Sequence, residues 1–298
     1  MKATYIKEFA QVETRNPILI EGLPGLGLVG KLAIRFLIKQ LKAKKFAYLY
    51  SPHFPYFVLV NQKGNVRLLR GAFYHVRTDG PNDILLFTGD SQSQTIEGQY
   101  EIAQKMLSFA KKHNVQTIAT IGGYRIETEA KPKVIVAGTS KEILEKAMAA
   151  GATVSSSGSP IVGTAGLILG LARFTKIDAL CLLGETRGYL PDPSAARSVL
   201  EVLKAMFSLN IDLAAMEEDI AKAEKMVKDI RDKADKTTVF TGDIETKQTL
   251  CPTCNKPAGE GKFCNNCGTP LGLLKCPKCG AKSPAGTKFC GECGNKFI

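Results

Sequence analysis

Eight of the nine cysteines in this 298-residue chain fall between Cys251 and the last residue. They form four C-x-x-C pairs: Cys251/Cys254, Cys264/Cys267, Cys276/Cys279 and Cys290/Cys293. Two intervening residues let both thiolates of a pair point at one ion, and two such knuckles complete a tetrahedron of soft donors, the arrangement zinc takes. The pattern Cys-Pro-x-Cys followed by Lys-Phe-Cys-x-x-Cys-Gly occurs twice, with Lys262-Phe263-Cys264 matching Lys288-Phe289-Cys290. A duplicated self-contained unit predicts sequential pairing. One zinc ion is expected on Cys251, Cys254, Cys264 and Cys267, and a second on Cys276, Cys279, Cys290 and Cys293. The alternative is a cross-brace between the two halves, and iron–sulfur ligation is the alternative chemistry. Asn255, Gly268, Gly280 and Gly294 follow the second cysteine of each pair, types that tolerate the left-handed backbone of a tight knuckle. Phe263 and Phe289 read as small cores packed on each site. Closed four-cysteine sites leave no open coordination position, so both ions are expected to be structural.

A second stretch with chemical potential is Glu21-Gly22-Leu23-Pro24-Gly25-Leu26-Gly27-Leu28-Val29-Gly30-Lys31. It follows the apolar run Ile18–Ile20 and precedes an apolar-periodic run to Leu41, which reads as strand, glycine turn, helix. Gly25, Gly27 and Gly30 match G-x-G-x-x-G, and Gly25 with Gly30-Lys31 covers most of a phosphate-binding P-loop. Both matches break down. Leu32 stands where a P-loop needs a hydroxyl for magnesium. The next strand ends in Ser51-Pro52 with no carboxylate for a ribose before Asp79. The glycines are then explained by a strand turning sharply into a helix packed close on the sheet, or by a loop offered to a protein partner, with Gly25, Leu26 and Gly27 as its candidate contacts. No catalytic residue and no nucleotide site is expected.

The elements that must carry these stretches follow from periodicity. Strands are predicted at Ile18–Ile20, Phe46–Tyr50, Phe57–Val60, Val66–Val76, Ile84–Thr88, Thr117–Ile121, Val134–Ala137 and Ala179–Gly184. Helices are predicted at Leu28–Leu41, Thr95–His113, Lys141–Ala150, Thr164–Phe174 and Ser194–Leu209, the last started by Asp192-Pro193. The alternation argues for an α/β fold with a mostly parallel sheet flanked by helices; the alternating run Val66–Val76 suggests a local antiparallel hairpin. Residues 1–210 form this core. Residues 211–236 are expected to be a long amphipathic helix, with Leu213, Met216, Ile220, Ala223, Val227, Ile230 and Ala234 on a narrow stripe. Residues 237–250 read as a linker, and 251–298 as a small double zinc-ribbon domain. Of the candidate catalytic groups, Cys181 lies in an apolar run and reads as an inert thiol. Glu185, Arg187 and Asp192 cluster near a strand end, where an ion pair and a helix cap explain them.

The formal charge is +12. The tail holds seven lysines against two glutamates, formally +5; eight thiolates on two divalent ions contribute −4, leaving about +1 there and about +8 overall. The remaining basic residues, Lys39, Lys42, Lys44 and Lys45 among them, read as solvated helix faces rather than a nucleic-acid patch. No apolar run reaches the length of a membrane span and the first residues lack the apolar segment of a signal peptide, so the expected compartment is the cytoplasm.

Gly22-Leu23-Pro24-Gly25-Leu26-Gly27-Leu28-Val29-Gly30, Ser51-Pro52-His53-Phe54-Pro55 and Gly163-Thr164-Ala165-Gly166 through Leu182-Leu183-Gly184-Glu185-Thr186-Arg187-Gly188-Tyr189-Leu190-Pro191-Asp192-Pro193-Ser194-Ala195-Ala196 together resemble the PAC2 family of proteasome assembly chaperones, in its archaeal form, over residues 5–235. The resemblance implies a phosphorylase-like α/β fold without phosphorylase chemistry. It implies a homo- or hetero-oligomer that binds the α-subunit ring of the 20S proteasome or another PAC2-family protein. Family members that dock on the ring commonly end in hydrophobic-tyrosine-any. This chain departs from that pattern with Lys296-Phe297-Ile298, so Phe297 and Ile298 are candidate contacts without the tyrosine hydroxyl. The function expected is that of a non-enzymatic chaperone-like protein with the ribbons as a protein-interaction adaptor. A nucleoside- or nucleotide-handling enzyme and a nucleic-acid-binding zinc-ribbon protein are the alternatives.

Overall fold

Ile18 and Ile20 of one short strand face one side of a sheet and Leu19 the other, and all three are buried. A strand apolar on both faces has to lie between two layers of helices. The computed structural model describes residues 1–126, 131–226, 251, 273–284, 289–290 and 292–296. The chain divides into two compact units, Met1–Ile230 and Arg231–Ile298.

The first unit runs β1 (Tyr5–Glu8), β2 (Ile18–Glu21), α1 (Val29–Gln40), β3 (Lys44–Tyr50), β4 (Val58–Val60), β5 (Val66–Leu68), β6 (Gly71–Val76), β7 (Ile84–Gly89), α2 (Ile96–Lys112), β8 (Thr117–Arg125), β9 (Val134–Gly138), α3 (Lys141–Ala149), β10 (Thr153–Val154), α4 (Thr164–Ala172), β11 (Asp178–Thr186) and α5 (Pro193–Phe207). Nine strands form one sheet in the order β1-β3-β6-β7-β2-β8-β11-β9-β10. Its centre, β7-β2-β8-β11, is parallel; β6, β3 and β1 extend one side antiparallel, and β9 joins β11 antiparallel on the other. One face buries Ile20, Leu86, Ala119 and Leu182 under α1 and α5; the other buries Leu19, Leu85, Phe87 and Ile118 under α2 and α4. The helices start where their caps say: Thr95 accepts from the Gly98 amide, Ser140 from Ile143, and Asp192 from Ala195 with Pro193 in the first turn.

Three differences from the sequence reading have physical causes. The run Val66–Val76 is two strands. The Arg70 amide donates to the Asp90 carboxylate at 3.0 Å instead of continuing a ladder, so β5 pairs only with β4 in a separate hairpin while β6 enters the main sheet. β1 escapes detection because it is an edge strand whose residues are exposed or half-buried, with no apolar run to mark it; the two-residue β10 is exposed and too short for any periodicity. The stretch after α5 opens with a single 3-10 turn, Leu213–Met216, followed by helix over the described residues 217–226. Met216 is buried and Ile220 packs against the α1/α5 core, so the narrow stripe docks on the first unit at its start. The predicted linker and the remainder of that helix lie outside the described residues. Among the described residues, no helix is long and apolar enough to cross a membrane.

Candidate functional site

In an open α/β sheet a ligand is expected in the crevice at the carboxyl ends of the parallel strands. Here that crevice is filled by the chain itself. The turn after β2 enters a 3-10 segment, Leu26–Leu28, in which Gly27 and Leu28 take left-handed φ of 58° and 51°. The carbonyl of Leu26 and its Cβ lie directly over Gly123 at the end of β8, at 2.6 and 2.9 Å from where a side chain would begin. A Cβ at Gly27 would meet the Thr186 hydroxyl at 2.6 Å, and one at Gly30 the Ile121 carbonyl at 2.6 Å, so these glycines permit a close approach of loop and helix to the sheet.

Neighbouring rims lock the turn in place. The Gln92 amide donates to the Pro24 carbonyl at 2.7 Å, Thr88 Oγ1 to the Gly22 carbonyl at 2.7 Å, and the Asp192 amide to the Gly27 carbonyl at 2.8 Å. The Leu28 amide, which in a phosphate cradle would face the ligand, donates to Gly25. Of the candidate partner contacts, Gly25 and Leu26 are exposed and Gly27 is buried beneath them, so Gly27 positions the turn while Leu26 is what the surface presents.

The charged cluster at the end of β11 is likewise committed. Asp192 caps α5 and accepts from Thr186 Oγ1 at 2.8 Å; buried Glu185 accepts from the Lys133 amide at 2.9 Å. Cys181 is fully buried in β11 and burial pushes its thiol up to about 12, as expected for an inert cysteine. The sequence reading missed Glu21. This last residue of β2 is buried, one carboxylate oxygen accepts from the Leu23 amide at 3.2 Å, and the other has no hydrogen-bond partner. Burial raises its pKa to about 8, opposed by the Leu23 hydrogen bond, so it is protonated at neutral pH. A carboxylate ending an otherwise apolar strand was the available signal.

The β4–β5 hairpin is the other prominent surface. Cross-strand pairing sets Val58 opposite Leu68 and Val60 opposite Val66, and all four side chains are exposed. Tyr56 and Phe57 adjoin them and are also exposed. The opposite face of the same hairpin packs inward through Leu59, while Arg67 forks onto Asp90 at 2.6 and 3.0 Å. An apolar outer face on a hairpin anchored from behind is a signature of a protein contact.

In the second unit, the sulfur atoms of Cys276, Cys279, Cys290 and Cys293 all lie within 4.8 Å of one another, with Cys276–Cys293 and Cys279–Cys290 at 3.6 Å. Tetrahedral thiolates at about 2.3 Å from zinc stand roughly 3.8 Å apart, so the cage fits that ion. Two matching knuckles build it. The Gly280 and Gly294 amides donate to the Cys276 and Cys290 carbonyls at 2.9 Å, with φ of 73° and 69°. The Cys276 and Cys290 amides reach Ala281 and Asn295 at 2.7 Å. Amides of Cys293 and Glu292 lower the Cys290 thiol to about 6, whereas Cys279 is pushed up to about 12: although the Ala281 amide favours its thiolate, the other three sulfurs outweigh it. Four adjacent thiolates need a cation to coexist, and zinc supplies a structural cross-link when bound. Phe289 pairs through its backbone with Lys296, but its ring is 55% exposed rather than packed as a core on the site. Cys251 is buried; Cys254, Cys264, Cys267, Phe263, Phe297 and Ile298 lie outside the described residues.

Residues 19–231 match the PAC2 family and residues 251–294 match the double zinc ribbon. An uncharacterised protein of Methanocaldococcus jannaschii is 34% identical over 227 residues, covering 76% of this chain and 86% of its own length. Among solved structures, Pyrococcus furiosus PbaB, described as an archaeal proteasome activator, superposes with a TM-score of 0.74 at 37% identity, covering 78% of this chain and 100% of that one. PbaA of the same organism, described as an archaeal homolog of proteasome-assembly chaperone, gives 0.65 at 29% identity over 80% and 95%.

Proposed function

We propose, from the premise that this chain belongs to the PAC2 family, that it is a non-enzymatic, chaperone-like partner of the 20S proteasome. Its α/β core would oligomerise and contact the α-subunit ring or a related PAC2 protein, and the zinc ribbons would serve as a protein-interaction adaptor. The observation that carries this reading is the likeness to PbaB, which extends over that protein's entire length at 37% identity. Two features of the chain support it. The crevice that would hold a substrate in an enzyme of this fold is packed by Leu26 and the turn around it. The exposed apolar groups, Leu26 and the β4–β5 hairpin, suit protein contacts.

The test is direct. Zinc-loaded full-length protein should co-sediment with archaeal 20S proteasome or isolated α-rings, and deleting Lys296-Phe297-Ile298 should show whether the terminus takes part. Failure to associate with either particle over a concentration range reaching about 100 μM, an affinity of roughly 5.5 kcal/mol, would remove the proteasome from the proposal.

A further inference from the structure

Six cations converge on one groove of about 320 Å³ between α1 and the neighbouring face of β3 and β6. Lys31, Arg35 and Lys39 stand on one side of α1 at every fourth residue, about 6 Å apart along the axis. Lys45, Arg67 and Arg70 line the rest. The groove contains a single carboxylate, Asp90, which the Arg67 fork and the Arg70 amide already occupy. Among the described residues no carboxylate forms an ion pair with the other five; Glu218 feels Lys39 but pairs with Lys222.

Aromatic rings orient part of this charge instead. The Arg70 guanidinium lies 3.7 Å over the Tyr48 ring and donates to the Tyr50 hydroxyl, and the Lys45 ammonium sits 5.5 and 5.4 Å from the Tyr48 and Tyr74 rings. A carboxylate that fixes a cation also neutralises it, whereas a ring face fixes it and leaves its charge available. The groove is therefore preorganised for a polyanion.

Its lining selects among polyanions. Protein interfaces are depleted in lysine and centre on buried apolar anchors; here the only aliphatic side chains in the lining are Ile38 and Ala72. Interfaces with nucleic acid are strongly positive, and a guanidinium already stacked on a tyrosine presents a second planar face to a base. We propose that this groove binds single-stranded nucleic acid, with successive phosphates along Lys31, Arg35 and Lys39 and a base stacked on the Arg70–Tyr48 pair. The site is separate from the proteasome reading and does not depend on it.

The experiment is fluorescence anisotropy of full-length, zinc-loaded protein with a labelled oligouridine of about 15 nucleotides. Binding at about 50 mM salt should weaken with a log–log slope near −2, roughly −0.7 for each of three phosphates neutralised. Arg35→Glu and Lys45→Glu should each weaken binding at least about tenfold, the first by replacing a phosphate contact with repulsion and the second by putting a negative charge into the groove beside the Tyr48 ring, while Lys141→Glu, the same charge change at an exposed position of α3, should alter it less than about twofold. Circular dichroism checks the fold of each variant; Arg35 lies on an exposed helix face, so that variant stands even where Lys45→Glu disturbs β3. No complex at low salt overturns the proposal. So does an Arg35→Glu protein that binds like the parent, which would put binding on the zinc tail, or equal loss in Lys141→Glu. Tighter binding of an oligoglutamate of matched length would make the groove a dock for acidic polypeptide instead.

Discussion

Glu21 is a carboxyl group that the fold holds neutral. Its pKa in the folded protein is raised by burial from 4.5 to about 8. Between those values the folded state keeps a proton that the unfolded chain has released, so unfolding free energy falls as pH rises through that window and levels off above it. At about 1.4 kcal/mol per pH unit the loss is on the order of 5 kcal/mol. Glu21→Gln keeps an acceptor for the Leu23 amide and has nothing to ionise. Thermal melts from pH 5 to 9 should therefore show a falling stability in the parent and a flatter profile in Glu21→Gln. Identical slopes in the two proteins would mean that another group controls the pH dependence.

The zinc knuckle is an element whose form is dictated by four residues and a glycine. Cys276 to Gly280 and Cys290 to Gly294 close with the same hydrogen bonds, which places their four sulfurs in one cage. A segment this short cannot bury enough apolar surface to fold alone, so metal should supply most of its folding free energy. With sequential wiring, the parent chain should carry two zinc ions. Cys290→Ser combined with Cys293→Ser should retain one, counted by native mass spectrometry. A chelator should unfold the tail and leave the melting transition of the α/β core in place, because that core is built on apolar packing and its one cysteine, Cys181, is buried and far from any such cage in sequence. Loss of both ions in the double variant would establish a cross-brace.

At the scale of the molecule, the question is which surfaces meet other chains. The β4–β5 hairpin exposes Val58, Val60, Val66 and Leu68 on one face, an arrangement that isolated soluble chains usually avoid. If this hairpin is an oligomer interface, Val58→Lys with Leu68→Lys should shift the protein to a smaller species in light scattering after gel filtration, with an unchanged circular dichroism spectrum. These outward side chains carry little of the fold, so the stability change should stay within about 0.5 kcal/mol. An oligomer that keeps its mass would place the interface elsewhere.

Much of this was legible in residue order because it depends on neighbours close in the chain. The C-x-x-C-Gly spacing, the Asp192-Pro193 cap and the apolar runs of β2, β7 and β11 are local signals, and local physics reproduces them in the fold. The family resemblance rested on the same kind of contiguous motifs. What residue order left open depended on distant segments meeting. The break at Arg70 comes from a hydrogen bond to Asp90, and the stopped crevice from Leu26 lying over Gly123. Glu21 became an unusual acid only when β7 and β8 paired with β2 on either side of it and buried it. Lys31, Arg35, Lys39, Lys45, Arg67 and Arg70, scattered over 40 positions of sequence, become one electrostatic feature because α1 packs beside β3 and β6. Periodicity determines which faces are apolar. Only the packing of the helices on the sheet determines which charges and carboxyl groups share a low-dielectric or focused environment, and hence what they can bind.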